Sequence, residues 1–353
     1  MATVASHSVF RCSLFKLMLL LCLPVSYAQA EALVVYTWKD YFTTNFVKLF
    51  EQETGHTLDL KYFDSDLERD TKLSDDKVDF DLVITDAYTL GAYSETGLLH
   101  QLSPEQFSNF KNLDVRWQDT CGDLGVPLFW GGVGISYRTS QVSAPVDSWN
   151  QLMFPEAALS GRVSMLYDTY DVLIPALKLL DYSANTSDVR ELKQAYKLLQ
   201  DQQPHVLDYV SAYRVLVTSS RGKDLAMAQS YSGDQLRLVE HTGHEDWNFV
   251  FPKEGTVTWA DCMSIKMSSN SAPAVIELIN FILDPQISAS LSQEIRIATP
   301  NKSALELADP GYRDDPAIFM TEAILQRTVG QLGRAADIQA IRNKILLSLK
   351  KQK

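Results

Sequence analysis

LVVYT at residues 33–37, TLDLKYF at 57–63 and FDLVIT at 80–85 are short apolar or alternating runs rich in β-branched residues, each the length of one strand. Between the first two, residues 42–53 place Phe46, Leu49 and Phe50 on one face and stop at Gly55, the spacing and the stop of an amphipathic helix. Residues 66–75 read as a polar helix, 88–96 as a helix ended by Gly97, and 98–102 as a further strand. The order β-α-β-α-β-α-β predicts a largely parallel sheet covered by helices, an α/β fold.

Working outward, residues 126–137 (VPLFWGGVGISY) are extended and apolar, with glycines where backbones approach closely. Residues 162–166 predict a strand, 171–180 and 187–201 helices, and 224–229 the entry to another strand. Residues 249–259 hold the turn Pro252-Lys253-Glu254-Gly255, and 263–267 read as a separate strand. A long helix over 272–293 is interrupted at Asp284-Pro285, and helices over 316–326 and 334–350 close the chain. The second half is therefore α/β as well, and two lobes are expected. Ligands in such folds sit at the carboxyl ends of strands, between the lobes.

Composition narrows the function. The chain has 353 residues, 46% hydrophobic and 22% charged, with a net charge of −12. That is globular material, and its charge repels phosphate backbones while tolerating cationic ligands, so no nucleic-acid partner is expected. Residues 1–30 differ from the rest: Arg11 and Lys16 precede the apolar run LMLLLCLPV (17–25), and small residues follow at Ala28 and Ala30. This is the pattern of an export signal peptide, so an exported mature protein is expected. The bulky Leu21 before Cys22 argues against a lipid anchor there. Cys121 and Cys262 then remain, as one disulfide or as two buried thiols.

Acids and aromatics recur just after the expected strands: Trp38, Asp40 and Tyr41; Asp86 and Tyr88; Asp168 and Asp171; Tyr231 and Asp234; Trp259 and Asp261. Such a set suits a linear polycation. Each ammonium needs a carboxylate, worth about 1.5–3 kcal/mol as a charged hydrogen bond. The methylenes between need apolar walls, and Trp and Tyr faces supply those with about 0.5–2 kcal/mol of cation–π attraction each. Taken singly, an Asp after a strand is more often a helix cap and a Trp more often core.

These residues resemble the periplasmic spermidine/putrescine-binding proteins of ABC importers. The resemblance covers essentially the whole mature chain. Tyr36-Thr37-Trp38-Lys39-Asp40-Tyr41 is similar to that family's Y-x-W-x-[ED]-Y, residues 79–84 with Tyr88 to its YDLVVPS-x-Y, and Pro127-Leu128-Phe129-Trp130-Gly131 to its PYxWG. Ser148-Trp149 with Leu152 resembles SWxDLW, residues 182–186 GYSxNT, and Tyr231-Ser232-Gly233-Asp234 the WAGD of putrescine binders. Pro252-Lys253-Glu254-Gly255 with Trp259 and Asp261 resembles PKEGxxxWxD, and Thr299-Pro300-Asn301 the family's TPN.

The resemblance implies a two-lobed, type II periplasmic-binding-protein-like fold with discontinuous domains and a central ligand cleft. Lobe one would be 31–136 plus 260–305, and lobe two 137–259 plus 306–353. It implies that Trp38, Tyr41 and Trp259 line the methylene slot with Tyr88 beside them. Asp168 and Asp171 would hold one terminal amine and Asp261 the secondary amine. Tyr231 would replace a Trp wall, Asp40 would approach the opposite end, and Asp234 matches the putrescine pattern. Asp86 stands where the family has Ser, which adds a carboxylate and favours a ligand of more charge or different spacing. Ile297 stands where it has Tyr, and Gln331 lies near a family Gln.

The expected function is polyamine binding (spermidine, putrescine or norspermidine) by closure, with no catalysis, no cofactor and no metal. The partner is an inner-membrane ABC permease or, in the alternative reading, a membrane-bound signalling receptor that responds to norspermidine in biofilm control. A metal-dependent exported enzyme built on His241-x-x-His244 is the remote rival; the stretch lacks Cys and zinc-site spacing.

Overall fold

The computed structural model describes residues 1–3, 30–39, 41–63, 66–75, 79–333 and 335–351. The expected signal peptide and Asp40 lie outside the described residues, apart from the ends of the former.

Ten strands are described: β1 Ala32–Trp38, β2 Thr57–Phe63, β3 Leu82–Asp86, β4 Val126–Arg138, β5 Val163–Met165, β6 Val206–Tyr209, β7 Met227–Tyr231, β8 Trp247–Val250, β9 Val257–Ile265 and β10 Val329–Gly330. Their order is β2-β1-β3-β9-β4-β7-β5-β6, with β8 against β4 and β10 against β9. β1 runs parallel to β2 and β3, with Val35 opposite Leu82. The helix Thr44–Thr54 makes the first crossover; Thr43 caps its start and Gly55 ends it in the left-handed conformation.

The parallel expectation holds only at the two ends of this order. β9 arrives from far along the chain and pairs antiparallel with both β3 and β4. Local periodicity reports crossovers between neighbours in sequence, so it carries no trace of such an insertion. Residues 98–102 give one bridge, Leu99 to Lys266, in place of a strand. The helix expected over 316–326 shrinks to Glu322–Leu325. β9 also fuses two stretches read as separate, and β6 follows a helix end that hid it.

β4 joins the two halves. Its residues from Val126 to Gly132 pair with β9, and those from Val133 onward pair with β7 and β8. Gly131 makes the join tight: a Cβ there would lie 2.3 Å from Cζ2 of Trp259. Two apolar cores flank the join. One gathers Leu33, Val35, Phe50, Ile84 and Met263 under the helices Ala272–Ile282 and Pro285–Ile295. The other gathers Val133, Trp149, Val163, Leu199 and Met227 with Leu346 and Leu349 of the C-terminal helix. The fold is thus a mixed α/β, two-lobed one with a cleft between the lobes.

No single helix among the described residues is long and apolar enough to cross a membrane. The one bent pair that passes on composition, Ala272–Ile282 with Pro285–Ile295, spends its apolar faces on the first core. A disulfide joins Cys121 to Cys262, Cα to Cα 5.9 Å, and so ties the loop before β4 to β9.

Candidate functional site

Trp38 ends β1 and Asp86 ends β3, so the parallel pair presents both at one carboxyl edge. The Trp38 ring meets the edge of Phe63 at 4.4 Å between centroids. Because β9 is antiparallel to β3, Asp261 falls directly opposite Asp86. Two like charges facing each other across strands cost about 0.2–1 kcal/mol unless something neutralises them.

Each acid has its own polar partner, a hydroxyl for Asp261 and a guanidinium for Asp86. The hydroxyl of Tyr41 donates to Asp261 Oδ2 at 2.5 Å, and the Asp261 residue is 4% exposed. The Tyr41 hydroxyl is held well above its ordinary pKa by burial and then by Asp261, with Asp86 and Asp234 contributing from farther away. Four of the expected site residues therefore share one electrostatic neighbourhood. Asp86 Oδ2 lies 2.8 Å from Nη1 of Arg69, whose side chain is wholly buried. Burial pushes the Asp86 carboxyl up, and Arg69 opposes it. Asp86 is thus already paired within the protein, a partner the sequence reading did not foresee.

The second half of the molecule supplies the rest. Trp259 lies two residues before Asp261 on β9, hence on the same face. Its ring meets Tyr231, at the end of β7, edge to face at 6.5 Å. The Tyr231 hydroxyl donates to Asp171 Oδ2 at 2.6 Å, and its backbone N–H donates to Asp234 Oδ2 at 3.0 Å. Asp171 is 5% exposed. The Asp234 carboxyl, partly enclosed at the start of the helix Asp234–Thr242, is pushed up to about 6 by burial, against the pull of the Tyr231 N–H and Arg237. Asp168 accepts from the backbone of Tyr170 and Asp171 through Oδ1, which fixes the turn that aims Asp171.

Tyr88 lines a cavity of about 450 Å³ together with Trp259, Trp117, Glu322 and Gln331. This cavity adjoins the acid-and-aromatic chain, sharing Trp259 with it. His241 instead packs its ring on Tyr213, and Gly243 ends the helix between the two histidines. Among the described residues no group of three or more His, Cys, Asp and Glu is placed to hold a metal ion.

The chain also matches, over residues 45–321, the model of the bacterial extracellular solute-binding proteins. It belongs to that family. This solute-binding protein is 32% identical over 323 residues to the norspermidine sensor of Vibrio cholerae, covering 91% of this chain and 89% of that protein. It is 27% identical over 319 residues to the putrescine-binding periplasmic protein SpuD of Pseudomonas aeruginosa, covering 85% and 86%. In fold it is like the spermidine/putrescine ABC transporter substrate-binding protein PotD of Streptococcus pneumoniae, with a TM-score of 0.81 at 22% identity over 91% of this chain and 99% of that one.

Sequence reasoning about this solute-binding protein missed Arg69. It sits in the helix Asp66–Leu73, read only as polar, and its partner Asp86 lies on another element. Its position gave no signal either: Arg69 lies inside a helix, six residues beyond the end of β2. Trp117 and Glu322 of the cavity carry no sequence signal that separates them from surface residues.

Proposed function

We propose that this protein binds a linear polyamine of the spermidine, putrescine and norspermidine class in the cleft, closes on it, and presents it to a membrane ABC importer. One observation carries the reading. The pair Tyr41–Asp261 from one half and the pair Tyr231–Asp171 from the other are joined through Trp259, so carboxylates alternate with aromatic faces across the join. Ammonium groups match the acids and methylenes match the rings. The names of the relatives support the same ligand class.

In this reading lobe one is 31–136 plus 260–305 and lobe two is 137–259 plus 306–353, with β4 and β9 as the connecting strands. Residues 1–30 direct export to the periplasm. The protein acts without catalysis, cofactor or metal. A thermal-shift panel tests the ligand class: putrescine, spermidine and norspermidine raise the melting temperature, whereas sulfate and ferric citrate do not. A panel in which only an anion or iron stabilises the fold overturns the reading.

A second reading has its own support in the 32% identity to a norspermidine sensor. There, the closed form is read by a membrane signalling receptor, which needs discrimination between open and closed states and no release of ligand. Radiolabelled polyamine uptake in a deletion strain separates the two. Lost uptake supports import; unchanged uptake with a lost polyamine response supports sensing.

A further inference from the structure

Asp86 occupies a position from which a carboxylate could take a ligand ammonium. It ends β3 at the carboxyl edge, faces Asp261 across the strand pair, and contributes to the field at the Tyr41 hydroxyl. Yet a cation already stands on it. Arg69 Nη1 is 2.8 Å from Asp86 Oδ2, while its Nη2 and Nε both lie 2.9 Å from Asp70 Oδ1. The guanidinium lies 5.7 Å from the Phe63 ring centroid, and its side chain is 0% exposed. A planar fork can hold two carboxylates and an aromatic ring at once, which a lysine cannot. A ligand amine arriving from the cleft would have to displace a cation held on three sides.

We propose that Arg69 is a specificity determinant: a built-in guanidinium that occupies the Asp86 carboxylate in place of a ligand ammonium, so that this end of the slot accepts a ligand with one charge fewer. The inference rests on the polyamine reading above. Asp86 then measures ligand length by being closed to it, and the acids left for amines are Asp261 and the Asp171 side of the cleft. The balance is purely one of charge. Arg69 is shared between Asp86 and Asp70, so a third ammonium at this end would have to compete with a fixed cation for the Asp86 carboxylate and would lose its water.

The test is a calorimetric comparison of putrescine and spermidine on the full oxidised chain. In Arg69→Met the Asp86 carboxylate is open to ligand, and the ratio of spermidine to putrescine affinity rises about tenfold or more over that of the native protein. Adding Asp86→Asn to Arg69→Met returns the ratio to the native value. Asp86→Asn alone leaves the Arg69 guanidinium with Asp70 as its carboxylate partner, adds one positive charge beside the slot and weakens both ligands. Where Arg69→Met does not fold, Arg69→Gln, which keeps a polar side chain without the charge, is read in its place by the same ratio. A ratio in Arg69→Met that stays within about twofold of native, or an Asp86→Asn loss confined to spermidine, overturns the inference and leaves the pair as a tether between helix and sheet. A native protein that binds neither amine overturns the polyamine reading with it, whereas native binding with an unchanged ratio removes the inference alone.

Discussion

Asp234 shows how one enclosed side chain makes the site sensitive to pH. Its carboxyl is pushed up to about 6, above the unfolded value. The folded state therefore keeps an extra proton between roughly pH 4 and 6, and this group's contribution to stability falls as pH rises through that window and is level above it. Binding has the opposite sense. A ligand ammonium favours the ionised carboxylate, so below pH 6 the ligand must displace a proton. We expect polyamine affinity to fall by up to about tenfold from pH 6 to pH 5, with Asp234→Asn removing that step. Titrations at both pH values in buffers of different ionisation enthalpy measure the released proton directly, and a pH-independent affinity contradicts the role. At this scale much of the site was legible. Asp171, Tyr231, Trp259 and Asp261 were singled out as acids and aromatics near expected strand ends; Tyr231 does end β7, whereas Trp259 and Asp261 lie within β9. The Arg69–Asp86 pair was not, because it depends on where a polar helix lands on a sheet.

At the scale of elements, the first three strands and the helix between β1 and β2 were legible because each is an uninterrupted run with its own stop. β9 was not, since Val257–Ile265 looks like any half-buried strand and its neighbours β3 and β4 are set by distant chain. That insertion creates the site, for it brings Asp261 opposite Asp86 and Trp259 against Tyr231. The disulfide to Cys262 anchors the same strand one residue after Asp261 and spans a sequence separation of 141. Loop-closure entropy over that span gives about 5 kcal/mol as an upper estimate, and removal of native disulfides commonly costs about 2–5 kcal/mol. Urea unfolding of the oxidised protein and of Cys121→Ser with Cys262→Ser is expected to differ by that amount. Coincident curves would show that β9 is held by its pairing alone.

For the whole molecule, the proposed site draws on both halves of the strand order, and closure is the expected consequence. Each half supplies part of the slot, and a ligand shifts the population toward the closed form only by contacts it makes better there. Saturating spermidine should therefore reduce the radius of gyration in small-angle scattering, and an unchanged profile would place the motion elsewhere. The central claim remains that a polyamine ammonium is held by the buried Asp261 between Tyr41 and Trp259. Isothermal titration of spermidine into the native protein and into Asp261→Asn tests it most directly. The account predicts a single saturable site whose affinity falls by at least about a hundredfold in the variant, the cost of leaving a buried ammonium unpaired. Absence of binding to the native protein, or equal affinities for the two, would contradict it.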